Sequence, residues 1–162
     1  MITDDIRAKA TQIAEKYGLP VRLVMAIITV ESGGNPFAIR YEPAFFSRYV
    51  RDNPSVKAKA PCSLDTERQA RATSWGLMQV MGETARSVGF QGVFLSELTR
   101  VEAGIDAGCR YLRSLVNRYL SMHGWPGVVA AYNAGSPRMD GKQFANQSYV
   151  DKVLKACGGV WP

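Results

Sequence analysis

The sequence predicts a mainly α-helical fold with little or no sheet. Three observations carry that expectation. Apolar residues recur at helical spacing in several segments, Gly and Pro punctuate the intervals between them, and no strand-like alternation is long enough for a sizeable sheet. With 162 residues, 46% hydrophobic and 21% charged, the chain can bury one full-sized core and is too short for two, so residues 1–162 are read as a single domain.

The first helix is expected from Thr3 to Tyr17, with Ile6, Ile13 and Tyr17 at helical spacing, Asp4 and Asp5 near its start and Gly18 as its stop. Pro20 suits the first position of a second helix, which runs through the almost wholly apolar stretch Val21 to Val30 and halts at Gly33-Gly34-Asn35-Pro36. From Phe37 to Ser74 the periodicity weakens. Pro43, Pro54 and Pro61 break up a stretch holding Tyr41, Phe45, Phe46 and Tyr49, read as a long excursion with one or two short helices. A short helix is expected at Thr84 to Val88. Thr99-x-x-Glu102 reads as a capping box opening a long helix with Val101, Ile105, Cys109, Leu112, Val116 and Leu120 as its apolar stripe. A turn at His123-Gly124 leads into a helix over Trp125 to Tyr132, and a last helix spans about Asn146 to Cys157, before Gly158-Gly159.

Twenty Lys and Arg against fourteen Asp and Glu give a formal charge of +6, which favours an anionic partner: nucleic acid, anionic lipid or cell-wall polymer. The basic residues are scattered from Arg7 to Lys155 without a run of five like charges and without an RNA-type aromatic motif, which argues against nucleic acid. Cys62, Cys109 and Cys157 are odd in number and widely spaced, so they spell neither a metal site nor a disulfide framework. A single bridge, such as Cys62 with Cys157, stays open, and Cys109 reads as a buried free thiol. The opening Met1-Ile2-Thr3-Asp4-Asp5 is acidic and lacks the apolar core of a secretory signal, and no stretch approaches eighteen uninterrupted apolar residues, so neither a signal peptide nor a membrane span is expected.

Glu31 stands out. It follows Val24, Ile27 and Ile28 at seven, four and three residues, so a helix that carries those side chains into the core carries the carboxylate with them. It also falls in the last helical turn, where exposed carbonyls disfavour an anion. Both effects raise a carboxyl pKa, and a carboxylic acid still protonated near neutral pH is what general-acid cleavage of a glycosidic bond requires. The competing reading is an ordinary Glu turned to water at a frayed helix end.

Three further segments bear on that choice. Glu31-Ser32-Gly33-Gly34-Asn35-Pro36, Gly76-Leu77-Met78-Gln79-Val80-Met81 and Ala131-Tyr132-Asn133-Ala134-Gly135 occur in that order. Together they resemble the soluble lytic transglycosylase family, with its lysozyme-like (goose-type) catalytic domain, over about Ile6 to Val153. The resemblance implies that Glu31 is the sole catalytic carboxylate. It makes Ser32, beside the acid, a substrate-binding residue together with Gln79 and Met81 along the cleft, Tyr132 and Asn133 near the reacting sugar, and Tyr149, in Ser-Tyr-Val-Asp-Lys-Val, close to the acid as an orienting phenol. Core packing is the alternative for Tyr132 and Tyr149, and a buried turn for Gly76 to Gln79. The Gln79 amide could instead bind a sugar acetamido group.

The sequence departs from the family pattern in its length between motifs, forty-four residues from Ser32 to Trp75, and in Gly82, which stands where a Pro is common. No role is assigned to Ser47, Ser55, Ser63 or Ser74. Glu42, in this insert at about 37–74, is a candidate second carboxylate that could activate water across the cleft; the alternative is an ion pair with Arg40. The resemblance implies cleavage of the bond between N-acetylmuramic acid (MurNAc) and N-acetylglucosamine (GlcNAc) in peptidoglycan strands with closure of a 1,6-anhydro ring, by a monomer needing neither metal nor organic cofactor. A muramidase of the same fold, using Glu42, and a catalytically idle wall-binding module are the alternatives. The compact domain with its long insert is similar to phage-encoded members, which points to delivery to the cell wall by a phage particle or lysis system.

Overall fold

The structure, a computed structural model, describes residues 2–162. Helix α1, Asp4–Lys16, starts where the Thr3 hydroxyl accepts the Ile6 N–H at 3.3 Å, and it buries Ile6, Ala10, Ile13 and Ala14. Helix α2, Val21–Ser32, follows Pro20 and buries Leu23, Val24, Ala26, Ile27 and Ile28. It stops because Gly33 takes the left-handed conformation (φ 61°), in which a side chain would be strained.

The excursion then supplies strand β1, Ile39–Tyr41, a helical turn α3, Pro43–Phe45, that widens into a π-helical turn at Phe46–Val50, and helix α4, Leu64–Arg71. The Ser63 hydroxyl caps α4 by accepting the Thr66 N–H at 3.1 Å. Strands β2, Thr73–Trp75, and β3, Val80–Met81, complete an antiparallel sheet in the order β1-β2-β3, with Arg40 opposite Ser74 and Ser74 opposite Met81. The excursion has a small core of its own, Val50, Val56 and Ala72, with Phe45 and Phe46 packed against it. Helix α5, Gly82–Ser87, and a 3-10 turn, Leu95–Thr99, lead into α6, Val101–Ala134. A hairpin of β4, Met139–Asp140, and β5, Gln143–Phe144, precedes the last helix, α7, Gln147–Ala156. The fold is therefore mainly helical as expected, with two small sheets. The main core gathers α1, α2, α7 and both halves of α6.

Two local expectations change, and one open pairing is decided. The capping box at Thr99 does not form: Thr99 donates its hydroxyl to the Ser96 carbonyl at 2.8 Å, and Glu102 pairs with Lys9 at 3.4 Å. Burial of Leu95 and Leu98 draws a 3-10 turn in ahead of α6, and there Glu97 accepts the Phe94 N–H at 3.1 Å. At His123-Gly124 the chain kinks instead of turning away. Gly124 alone leaves helical geometry (φ 60°, ψ −171°), and Pro126 suits the first turn of the helical stretch that resumes. All three cysteines are free and buried, so the bridge between Cys62 and Cys157 does not form.

The excursion is fastened to α5 by charge. Glu67, only 1% exposed, receives Arg71 Nε at 2.9 Å and Arg86 at 2.8 and 2.9 Å, while Arg71 also reaches Glu83 at 3.1 Å. Arg86 donates further to the carbonyls of Phe90 and Gly92 at 3.1 and 2.7 Å. Burial acts to raise the Glu67 pKa, but the two guanidiniums outweigh it and hold the carboxyl below its ordinary value of 4.5. Replacing Glu67 by Gln leaves the largely buried Arg86 without its counter-charge and Arg71 with Glu83 alone, so we expect a loss of about 3 kcal/mol in urea unfolding at neutral pH. Because the folded pKa is depressed, the Glu67 contribution is present above the unfolded value and disappears as pH falls through the folded one. The gap between wild type and Glu67→Gln should therefore narrow in acid, and a gap independent of pH would contradict this linkage.

Candidate active site

Glu31 stands in the last turn of α2, half-buried, at one side of a cleft of about 410 Å³. The other walls are Arg40, Glu42 and Phe45 from the excursion, Ser74 and Gln79 to Met81 from the sheet and its turn, Thr84, and Tyr111 with Tyr132 to Gly135 from α6 and its end. The cleft thus gathers residues from all three sequence motifs, together with the insert between the first two.

The closest partner of the carboxyl is Tyr149, from the first turn of α7, which donates its phenol O–H to Glu31 Oε1 at 2.5 Å. Burial raises the Glu31 pKa above its ordinary value. The Tyr149 hydrogen bond and the positive charge of Arg40 act in the opposite direction without cancelling it. Burial together with the neighbouring carboxylate pushes the Tyr149 phenol far above its ordinary range, so its proton stays on oxygen and the group remains a donor. The arrangement suits a carboxyl that exchanges a proton: it is desolvated, fixed in orientation and, among the described residues, has no cation bonded to it.

The motif residues divide into those that face the cleft and those that hold it together. Ser32 belongs with the second group: its hydroxyl lies 2.8 Å from the Leu77 carbonyl and 3.2 Å from that of Ile28, and accepts the Gly34 N–H at 3.2 Å. Its hydrogen bonds tie the end of α2 to the Gly76–Gln79 turn. Gln79 takes the left-handed conformation (φ 47°) and donates both hydrogens of its amide nitrogen, to the Ala38 and Gly76 carbonyls at 2.9 Å each. Only its carbonyl oxygen remains for a ligand, as an acceptor. Gly76, at φ 68°, sits where an added Cβ would come within 2.4 Å of the Leu98 carbonyl oxygen, so the turn admits no side chain there.

Tyr132 donates its O–H to the Met78 carbonyl at 2.8 Å, and its ring packs against Tyr111 with centroids 5.2 Å apart. It is almost fully buried and meets the cleft with little of its surface. Asn133 accepts from the Asn146 amide at 2.9 Å, and the Met81 sulfur accepts the Ser74 hydroxyl at 3.2 Å. Glu42 lines the cleft and accepts Arg40 Nε at 2.5 Å, so the second carboxylate and its candidate cation are bonded to each other. Ser74, Thr84, Phe45 and Tyr111 also line the cleft and were not singled out by sequence reasoning. Nothing in their spacing marks them, because Ser74 enters through sheet register, Phe45 through the packing of the excursion and Thr84 from the short helix α5, while Tyr111 lies at the edge of the α6 apolar stripe. Among the described residues, no group of three or more His, Cys, Asp or Glu is gathered to hold a metal, and no helix is long and apolar enough to cross a membrane.

Residues 9–154 match the family model described as the transglycosylase SLT domain. The chain is similar to the endolysin of Enterobacteria phage PRD1, 29% identical over 142 residues that cover 81% of this chain and 91% of the endolysin. It is also similar to the membrane-bound lytic murein transglycosylase C of Haemophilus ducreyi, 27% identical over 157 residues, covering 84% of this chain and 34% of that longer protein.

The Tyr149 hydrogen bond favours the ionised form of Glu31. Removing the hydroxyl in Tyr149→Phe should therefore raise the Glu31 titration midpoint further, as followed by carbon NMR of the side-chain carboxyl. Arg40→Gln should move it the same way. A midpoint unchanged in both variants would mean that neither group acts on the acid.

Proposed function

The chain belongs to the transglycosylase SLT domain family, and on that basis we propose that it is a peptidoglycan lytic transglycosylase, cleaving the β-1,4 bond between MurNAc and GlcNAc with formation of a 1,6-anhydro end. The observation that carries this reading is the pairing in the cleft: a half-buried Glu31 held by a neutral phenol, against a Glu42 held by Arg40. One carboxyl is thereby kept ready to exchange protons, while the other is engaged as a counter-ion.

In the proposed mechanism Glu31 first donates its proton to the bridging oxygen as the bond to the MurNAc C1 breaks, and the GlcNAc leaves with a hydroxyl. The N-acetyl group of the MurNAc stabilises the positive charge developing at C1. Glu31, now a carboxylate, removes the proton from the C6 hydroxyl of the same sugar as its oxygen bonds to C1, which closes the ring and returns the acid to its starting state. Burial raises the Glu31 pKa, so its acid form persists to higher pH than that of an exposed carboxyl. Tyr149 keeps one carboxyl oxygen oriented through both proton transfers. Gln79, Met81, Tyr132 and Asn133 form the surface against which the two sugars lie.

The names of the relatives, an endolysin and a lytic murein transglycosylase, support action on the cell wall. The phage relative, matched over 91% of its own length, supports delivery by a phage particle or lysis system. We propose further that residues 1–162 act as one catalytic domain and as a monomer, with the excursion at 37–74 forming one wall of the cleft. The muramidase reading draws on one observation, that Glu42 lines the same cleft as Glu31, and it requires Glu42 to leave Arg40 in order to activate water.

Mass spectrometry of fragments released from purified peptidoglycan separates these readings. We expect anhydro-muramyl ends from the wild type. In Glu31→Gln their release should fall by about a thousand-fold or more, since one group serves both proton transfers. In Glu42→Gln it should stay within a few-fold of wild type. Reducing ends that disappear in Glu42→Gln would establish hydrolysis instead, and no release by any form would leave a wall-binding module.

A further inference from the structure

Beside the cleft lies a second, smaller cavity of about 160 Å³, lined by Ala134, Ser136, Arg138, Ala145 and Asn146. Ala134 is a wall of both cavities, and the hydrogen bond between Asn133 and Asn146 links residues on either side, so the notch is a lateral branch of the cleft. The hairpin of β4 and β5 shapes it: the Ala145 N–H donates to the Arg138 carbonyl at 2.9 Å, and the Arg138 N–H to the Ser136 carbonyl at 2.9 Å.

The chemistry of the notch differs from that of the cleft. Glu31, Arg40 and Glu42 are the charged residues of the cleft, and Arg40 is bonded to Glu42. Arg138 is the one charged residue of the notch, and its guanidinium makes no ion pair among the described residues. The Ser136 hydroxyl adds a donor. Asn146 turns its amide nitrogen away, to the Ala130 carbonyl at 3.0 Å and Asn133 at 2.9 Å, which leaves its carbonyl oxygen as an acceptor. A ligand matched to this set carries an anion for Arg138 and an N–H for Asn146.

We propose that this notch binds the peptide substituent of the glycan strand, with Arg138 receiving a peptide carboxylate and Asn146 a peptide N–H. The inference rests on the peptidoglycan reading above. A strand of N-acetylated sugars is otherwise uncharged, and its peptides carry both a carboxylate and amide N–H groups, so they supply what the notch lacks. The lateral position fits as well: a substituent on a sugar seated in the cleft has to leave the strand sideways. Arg138 is thus a specificity residue for peptide-bearing strands, remote from proton transfer.

The test compares peptide-bearing strands with the same strands after an amidase has removed the peptides, which leaves a lactyl carboxylate on each muramic acid. Arg138→Ala should raise KM on peptide-bearing strands about three- to five-fold with kcat and thermal midpoint unchanged, and leave the peptide-free strands unaffected. Arg138→Lys should keep most of the affinity, and the preference of the wild type for peptide-bearing strands should weaken with added salt. A loss on peptide-free strands alone would assign Arg138 to the lactyl carboxylate and overturn the peptide assignment, as would equal losses on both substrates or none on either. NMR titration of the wild type with a soluble, carboxylate-bearing stem peptide is independent of catalysis. Shifts at Ser136, Arg138 and Asn146 support the notch even if no strand is cleaved, which would count against the proposed activity alone, and no shifts overturn it.

Discussion

A carboxyl group taken out of water has to be stabilised without being ionised for good, and the arrangement around Glu31 follows from that constraint. Desolvation alone favours the neutral acid, and a bonded cation would favour the carboxylate so strongly that no proton remained to give. A phenol lies between these limits: it donates one hydrogen bond, carries no charge, and under burial keeps its own proton. Tyr149 supplies that bond from a residue 118 positions away, so the C-terminal helix α7 has to pack against α2 for the acid to be oriented at all.

The turn at Gly76–Gln79 is the point on which the other walls are aligned. Ser32 and Tyr132 reach the carbonyls of Leu77 and Met78, Gln79 reaches back to Gly76 and across to Ala38, and the Gly76 N–H donates to Ala38 at 2.8 Å. Each such bond contributes about 1 kcal/mol net, but leaving the buried carbonyls unpaired costs more, so the turn is specified as a unit. Three motif residues that suggest substrate contact in the sequence therefore have a second task. They fix helix ends and one loop to a common backbone segment, and the line of the cleft follows from that.

The excursion shows the same division between what local pattern states and what packing decides. Its prolines and weak periodicity correctly mark a break from the helical core. Its residues acquire direction only through β1 pairing with β2, which turns Arg40 and Glu42 into the cleft, and through the buried Glu67, which joins α4 to α5. The ion pair of Arg40 with Glu42 spans two residues in sequence and was foreseeable as an alternative. The bonds from Glu67 to Arg86 span nineteen and were not.

The sequence by itself determined the helical class, because apolar periodicity and the punctuation at Gly18, Gly33 and Pro20 are local signals that the backbone obeys directly. It also singled out Glu31, because a carboxylate on an apolar helix face conflicts with its neighbours whatever the rest of the chain does. The short strands lay beyond it, since two- and three-residue strands carry too few side chains for alternation to be seen and exist only where a partner edge meets them. The same holds for the 3-10 turn that displaced the Thr99 cap, for the inward aim of the Ser32 hydroxyl and for the notch at Arg138. Each depends on which carbonyl or cavity lies within about 3 Å of a side chain, and that distance is set by tertiary packing between residues far apart in the chain.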